Sequence, residues 1–148
     1  MTQPATREIT LTRVLDAPRD AAFRAWTDPE RIKLWWGPIG TRTSAAEIDL
    51  RAGGSYRVVM EPLEGPTLVV AGQYREVTPP SKLVYTWRWE NGIPDSLETL
   101  VTVEFEERGA QTEIRITHGG FPADAAAPQY QVGWEEALAR LGALRFEP

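Results

Sequence analysis

His118 is the only histidine in this 148-residue sequence, and cysteine is absent. Those two counts exclude much of the usual chemistry. Without cysteine there is no thiolate nucleophile, no disulfide and no sulfur ligand for a metal. One histidine alone does not build the common zinc cluster, and no all-carboxylate site is signalled, so no metal or other cofactor is expected. His118 follows Ile114 and Ile116 at steps of two, which puts the three on one face of a strand. Two readings stand side by side. His118 is either a histidine at the edge of the core, its ring nitrogens bonded to nearby backbone, or a polar group on a pocket wall that orients a ligand or moves a proton. Ser55, Ser81 and Ser96 have no visible base partner, and no nucleophile–base–orienter set can be assembled.

Aromatic side chains are the second chemical resource. The chain holds six tryptophans, a density that suits a large core or a pocket with flat apolar walls. Leu83, Tyr85, Trp87 and Trp89 alternate with Lys82, Thr86, Arg88 and Glu90, with Val84 the exception. This stripe either packs against Trp134 and Leu138 or lines a ligand pocket. Trp35 and Trp36 are adjacent, so in a helix they point about 100° apart. One then belongs to the core and the other to a pocket mouth near Gly37-Pro38. The candidate ligand-binding residues are Trp35, Trp36, Tyr56, Tyr85, Trp87, Trp89, His118, Phe121, Tyr130 and Trp134. No catalytic residue is assigned. Glu47 and Asp49 share a strand face. Arg13, Arg57, Arg75 and Arg88 read as solvent-facing, and Glu104, Glu106 and Glu107 as a solvated edge. Gly53-Gly54 and Gly119-Gly120 precede no phosphate-cradling helix and read as turn geometry.

The elements that must hold these residues follow from periodicity. Tyr130, Gly133, Trp134, Ala137, Leu138, Leu141 and Leu144 recur at steps of three and four, which predicts an amphipathic helix over about 125–146. Gln131, Glu135, Glu136 and Arg140 take most of its other face. A first strand spans 7–15, with a bulge or an end where Val14-Leu15 breaks the alternation. Ala17-Pro18 opens a helix that buries Ala22, Phe23, Ala25 and Trp26. Either Thr27 with Glu30 or Asp28 before Pro29 caps a second helix running to about Trp36. A loop covers 37–44. Strands follow at 44–50, 55–61, 67–77, 82–90, 97–106 and 111–118, separated by Gly/Pro/Asn/Asp breaks, and Gly119 to Pro122 ends the sheet. The order is one strand, two short helices, six strands and a long helix. This is an α+β pattern: a curved antiparallel sheet over the C-terminal helix, in a single domain spanning 1–148 with a loose tail at 1–6.

Charge narrows the partners. Sixteen Lys and Arg against 21 Asp and Glu leave a net charge of -5, so the positive footprint of a duplex nucleic-acid binder is missing. No apolar run is long enough to insert into a membrane, and the start carries no secretory pattern. With no cysteine, a cytoplasmic setting is expected. Open sheet edges make a homodimer an expectation as well.

Several motifs resemble one family. Ala17-Pro18-Arg19, then residues 23–30 (FRAWTDPE), then Trp35-Trp36-Gly37-Pro38 resemble the start of the family similar to the C-terminal domain of the activator of Hsp90 ATPase. Residues 117–122 (THGGFP), Gly133-Trp134 and residues 138–141 (LARL) resemble its end. Tyr130 stands where relatives often carry histidine. The resemblance implies a START-like or Bet v 1-like helix-grip fold of the SRPBCC group, in which a curved sheet grips the last helix around a hydrophobic cavity. It implies as the leading expectation a small hydrophobic or amphipathic ligand in a cavity of several hundred cubic ångströms. A cyclase- or hydrolase-like enzyme of the same fold, or a chaperone-associated or stress-response module, are the alternatives. A chaperone partner is implied by the resemblance alone.

Overall fold

The structure, a computed structural model, describes residues 6–37, 39–90, 98–122 and 127–144. The chain runs β1 (Thr6–Leu15), α1 (Arg19–Thr27), α2 (Pro29–Ile32), β2 (Thr41–Ile48), β3 (Ser55–Pro62), β4 (Leu68–Thr78), β5 (Lys82–Trp89), β6 (Thr99–Arg108), β7 (Gln111–Pro122) and α3 (Ala127–Gly142). The seven strands form one antiparallel sheet in the order β1-β7-β6-β5-β4-β3-β2. Strands joined by short turns lie side by side, as hairpin geometry requires. Only β1 is displaced. The two helices separate it from β2, and it pairs with the last strand instead. The result is the helix-grip arrangement, with α1, α2 and α3 against the inward face of the curved sheet.

Several local expectations shift. Along β1, Ile9 and Leu15 are buried and Val14 faces solvent, so the alternation continues to the end of the strand. The irregularity lies between Arg7 and Glu8, opposite Gly120 at φ 93°. A positive φ is open to glycine at little cost, so Gly120 supplies the extra residue of a bulge. β7 therefore runs through the two glycines to Pro122 instead of stopping before them. α2 ends after Ile32, and the backbone reaches Trp36 through turns. Asp28 is its cap, accepting from the Glu30 N–H at 2.9 Å, while the Thr27 hydroxyl donates back to the Phe23 carbonyl at 3.0 Å. β2 begins at Thr41, inside the expected loop. A register shift between Thr43 and Ala45 scrambles its alternation, which is why the strand is weak in the sequence pattern.

The core fills the concave face. Tyr56, Val58 and Met60 of β3, Leu83 and Tyr85 of β5, Val101, Val103 and Phe105 of β6 and Ile114 and Ile116 of β7 point inward. α1 lays Phe23 and Trp26 on Phe105, with ring centroids 5.4 and 5.8 Å apart. α3 contributes Trp134, Ala137, Leu138 and Leu141. Its polar face is not all solvent-facing. Glu136 accepts from the Ile39 N–H at 3.1 Å, and Arg140 donates to the carbonyls of Trp36 and Gly37, both at 3.1 Å. These bonds tie the segment after α2 to the helix.

Thr86 breaks the β5 pattern. It belongs by parity to the polar side, yet it is buried, and its hydroxyl accepts from the Gln73 N–H at 2.9 Å. Gly72 makes that possible, because a Cβ there would collide with the Thr86 carbonyl. Gly72→Ala is therefore expected to destabilise by at least about 2 kcal/mol in urea unfolding, as a backbone clash that no rotamer relieves. Gly133→Ala is the opposite case. It lies inside α3 with open space where a Cβ would go. A gain of about 0.5–1 kcal/mol is expected in the same measurement.

Candidate functional site

α3 approaches β1 closely, and aromatic rings bridge its distance to the rest of the sheet. Trp134 is the centre of that bridge. Its ring lies 6.2 Å from Trp26, 6.0 Å from Trp36 and 5.6 Å from Trp87. Each ring arrives on a different element, so the cluster exists only once sheet and helices have docked.

A hydrogen-bond chain threads the cluster. The Trp134 indole N–H donates to His118 Nδ1 at 3.0 Å. An indole nitrogen can only donate, so Nδ1 must be the unprotonated nitrogen and Nε2 carries the proton. His118 Nε2 then donates to the Thr99 hydroxyl at 2.7 Å, and Thr99 donates to the Trp87 carbonyl at 3.3 Å. The expectation that the ring bonds to backbone is thus corrected: its partners here are two side chains. His118 is completely buried, and burial pushes its pKa down from 6.5 to about 3. At neutral pH the ring is uncharged, with its basic nitrogen already occupied.

The neighbouring end of the cluster is less enclosed. Trp89 is half-buried, and its indole N–H donates to the Tyr130 hydroxyl at 2.7 Å, tying β5 to the first turn of α3. The Tyr130 ring is 5.4 Å from His118. Trp87 is different again. It is buried, and its indole N–H has no partner among the described residues.

A second group lies towards α2. Tyr56, Tyr74 and Tyr85 meet with centroids 5.2 to 6.0 Å apart. The Tyr56 hydroxyl donates to the Thr86 carbonyl, and Tyr85 accepts from the Trp26 indole at 3.2 Å. Burial raises the pKa of all three phenols, so they act as neutral hydrogen-bonding groups. With Trp26, Trp36, Ile32, Ile48 and Val58 they line a space of about 10 Å³. That is room for about one water, far below several hundred cubic ångströms.

The sequence candidates therefore divide. Trp36, Trp87, Trp89, His118, Tyr130 and Trp134 come together, and Tyr56 and Tyr85 join the tyrosine group. Trp36 belongs to both: it stacks on Trp87 at 5.5 Å and lines the small space. Trp35 is framework, fully buried with its N–H on the Ala25 carbonyl at 2.9 Å. Neither Trp35 nor Trp36 sits at an exposed mouth. Phe121 pairs with Arg7 in the sheet, and its side chain lies outside the described residues. Sequence reasoning missed Tyr74, Trp26 and Thr99 as members. Thr99 could have been found, since it shares the inward parity of Val101 and Val103. Among the described residues no cluster of potential metal ligands occurs, and no helix is long and apolar enough to cross a membrane.

Residues 16–145 match the family described as activator of Hsp90 ATPase homolog 1-like protein. The chain belongs to that family. Among solved structures, protein CV1439 of Chromobacterium violaceum is 29% identical, with a TM-score of 0.84 over 95% of this chain and 97% of that one. The AHSA1 protein SPO3351 of Silicibacter pomeroyi is 27% identical, with a TM-score of 0.81 over 93% and 96%. CalU16 of Micromonospora echinospora is 27% identical, with a TM-score of 0.66 over 93% and 74%. No curated protein matches the chain. As a member of the AHSA1-like family the chain has a fold consistent with a hydrophobic-ligand module.

Two outcomes test this cluster. Trp134→Ala removes the ring that bridges helix to sheet and strands the His118 Nδ1 acceptor, so a loss of about 3–5 kcal/mol is expected by chemical denaturation. A loss below about 1 kcal/mol contradicts the packing described. The histidine also sets a pH dependence. The unfolded ring takes its proton near pH 6.5, the folded ring only near 3. Between those values the unfolded state binds the extra proton, so this contribution is complete above about pH 6.5 and is lost as pH falls towards 3. Its size is on the order of a few kcal/mol. The slope of stability against pH across that window should flatten in His118→Gln, which isolates it from the carboxylates.

Proposed function

We propose that this protein binds a small apolar or amphipathic molecule between the sheet and α3, at the aromatic cluster, and does no chemistry on it. The observation that carries the reading is the wall itself. Trp36, Trp87, Trp89, Tyr130 and Trp134 converge around few polar groups, the composition that apolar ligand sites have. The family's fold supports it. The half-buried Trp89–Tyr130 pair is the way in, because it joins β5 to the start of α3 and leaves the deeper rings in place when it parts. The tyrosine-lined space of about 10 Å³ is by itself too small for such a molecule. The cyclase- or hydrolase-like alternative needs an available base, and the His118 Nδ1 is engaged by Trp134.

A chaperone-associated surface role is the second reading. Ile39 and Leu63 favour it, being 66% and 89% exposed on adjoining loops, with the Leu63 N–H bonded to the Gly40 carbonyl.

Titration with N-phenyl-1-naphthylamine, an uncharged apolar probe, read by quenching of tryptophan emission, separates the two. Saturable binding of one probe per chain is expected, weakened about tenfold in Trp89→Ala, a loss of about 1.4 kcal/mol. Binding unchanged in that variant, and abolished in a double Ile39→Ser and Leu63→Ser variant, transfers the function to the surface.

A further inference from the structure

The indole nitrogens are well provided for. Trp26 donates to the Tyr85 hydroxyl, Trp35 to the Ala25 carbonyl, Trp89 to the Tyr130 hydroxyl and Trp134 to His118. Of the remaining two, Trp36 and Trp87, it is Trp87, a residue only 7% exposed, whose N–H is fully buried with no partner among the described residues. A buried donor without an acceptor is costly, and native interiors seldom leave one. Two acceptors near it are used. His118, whose ring is 5.2 Å away, has Nδ1 filled by Trp134. The Trp87 carbonyl takes the Thr99 hydroxyl. Trp36, stacked on the Trp87 ring, also walls the small tyrosine-lined space.

We propose that the Trp87 indole N–H is the polar anchor of the site, and that it selects a compact neutral ligand carrying a carbonyl-type acceptor oxygen. This rests on the ligand-binding reading above and adds the ligand's chemistry. The neighbouring groups argue for neutrality. Trp36, Trp89, His118 and Trp134 surround the ring, and His118 is uncharged at neutral pH, so no cation among these neighbours compensates a carboxylate. An ammonium group has no acceptor to offer and meets the positive end of the N–H dipole. A ketone, ester or amide oxygen satisfies the donor and brings no charge into the interior.

Matched probes of one shape decide the matter. Acetophenone, ethylbenzene and benzoate are titrated into uniformly ¹⁵N-labelled protein, and the indole N–H resonances are followed by NMR. Acetophenone is expected to bind at least about tenfold tighter than ethylbenzene and than benzoate, and to move the Trp87 indole proton downfield. In Trp87→Phe the preference for acetophenone over ethylbenzene should fall towards one. The wild-type preference and the Trp87 shift decide even if that variant does not fold. Equal affinity for acetophenone and ethylbenzene, with the Trp87 resonance unmoved, overturns the anchor and assigns the donor to a bound water, while the apolar site stands. Tightest binding of benzoate overturns neutrality. If none of the three binds, the pocket reading falls together with the anchor.

Discussion

The hydrogen bond from Trp134 to His118 is the constraint on which the interior depends. It joins the gripped helix to the inner face of β7, and its direction is forced, because an indole can only donate. That direction sets the histidine tautomer, which sets the bond to Thr99, which in turn claims the Trp87 carbonyl. One donor on α3 thus orders polar groups on three strands. Each member is buried among rings, where an unmet group is expensive and a met one is held firmly.

Burial also sets the charge state of this interior. Burial keeps His118 neutral, and the phenols of Tyr56, Tyr74 and Tyr85 neutral as well. The basic ring nitrogen, His118 Nδ1, is already engaged by Trp134. Ion pairs such as Arg57 with Glu90 and Arg42 with Glu61 lie on the exposed side of the strands, where such pairs contribute little to stability.

Much of the sheet was legible because strand burial alternates with a period of two. Tyr56, Val58 and Met60, or Val101, Val103 and Phe105, announce their own inward face. Legibility failed where the backbone departs from regular pairing. The register shift in β2 hid that strand's first residues, and the close approach of Gly72 buried Thr86 on a side expected to face solvent. It also failed where a polar side chain serves as a tie: Glu136 and Arg140 look like solvent-facing helix positions, yet they hold the segment around Trp36 to Ile39.

The sequence by itself determined the element order, the family, the apolar face of α3 and the absence of thiol chemistry, since each follows from local pattern or residue count. It also marked most of the aromatic residues that meet. Only the tertiary structure decided which rings touch, which nitrogen of His118 carries the proton, and which indole is left without a partner. Those properties arise between residues far apart in the chain, such as Trp134 with His118 and Trp26 with Tyr85. A hydrogen bond has a length and a direction, and neither exists until sheet and helix are docked against one another.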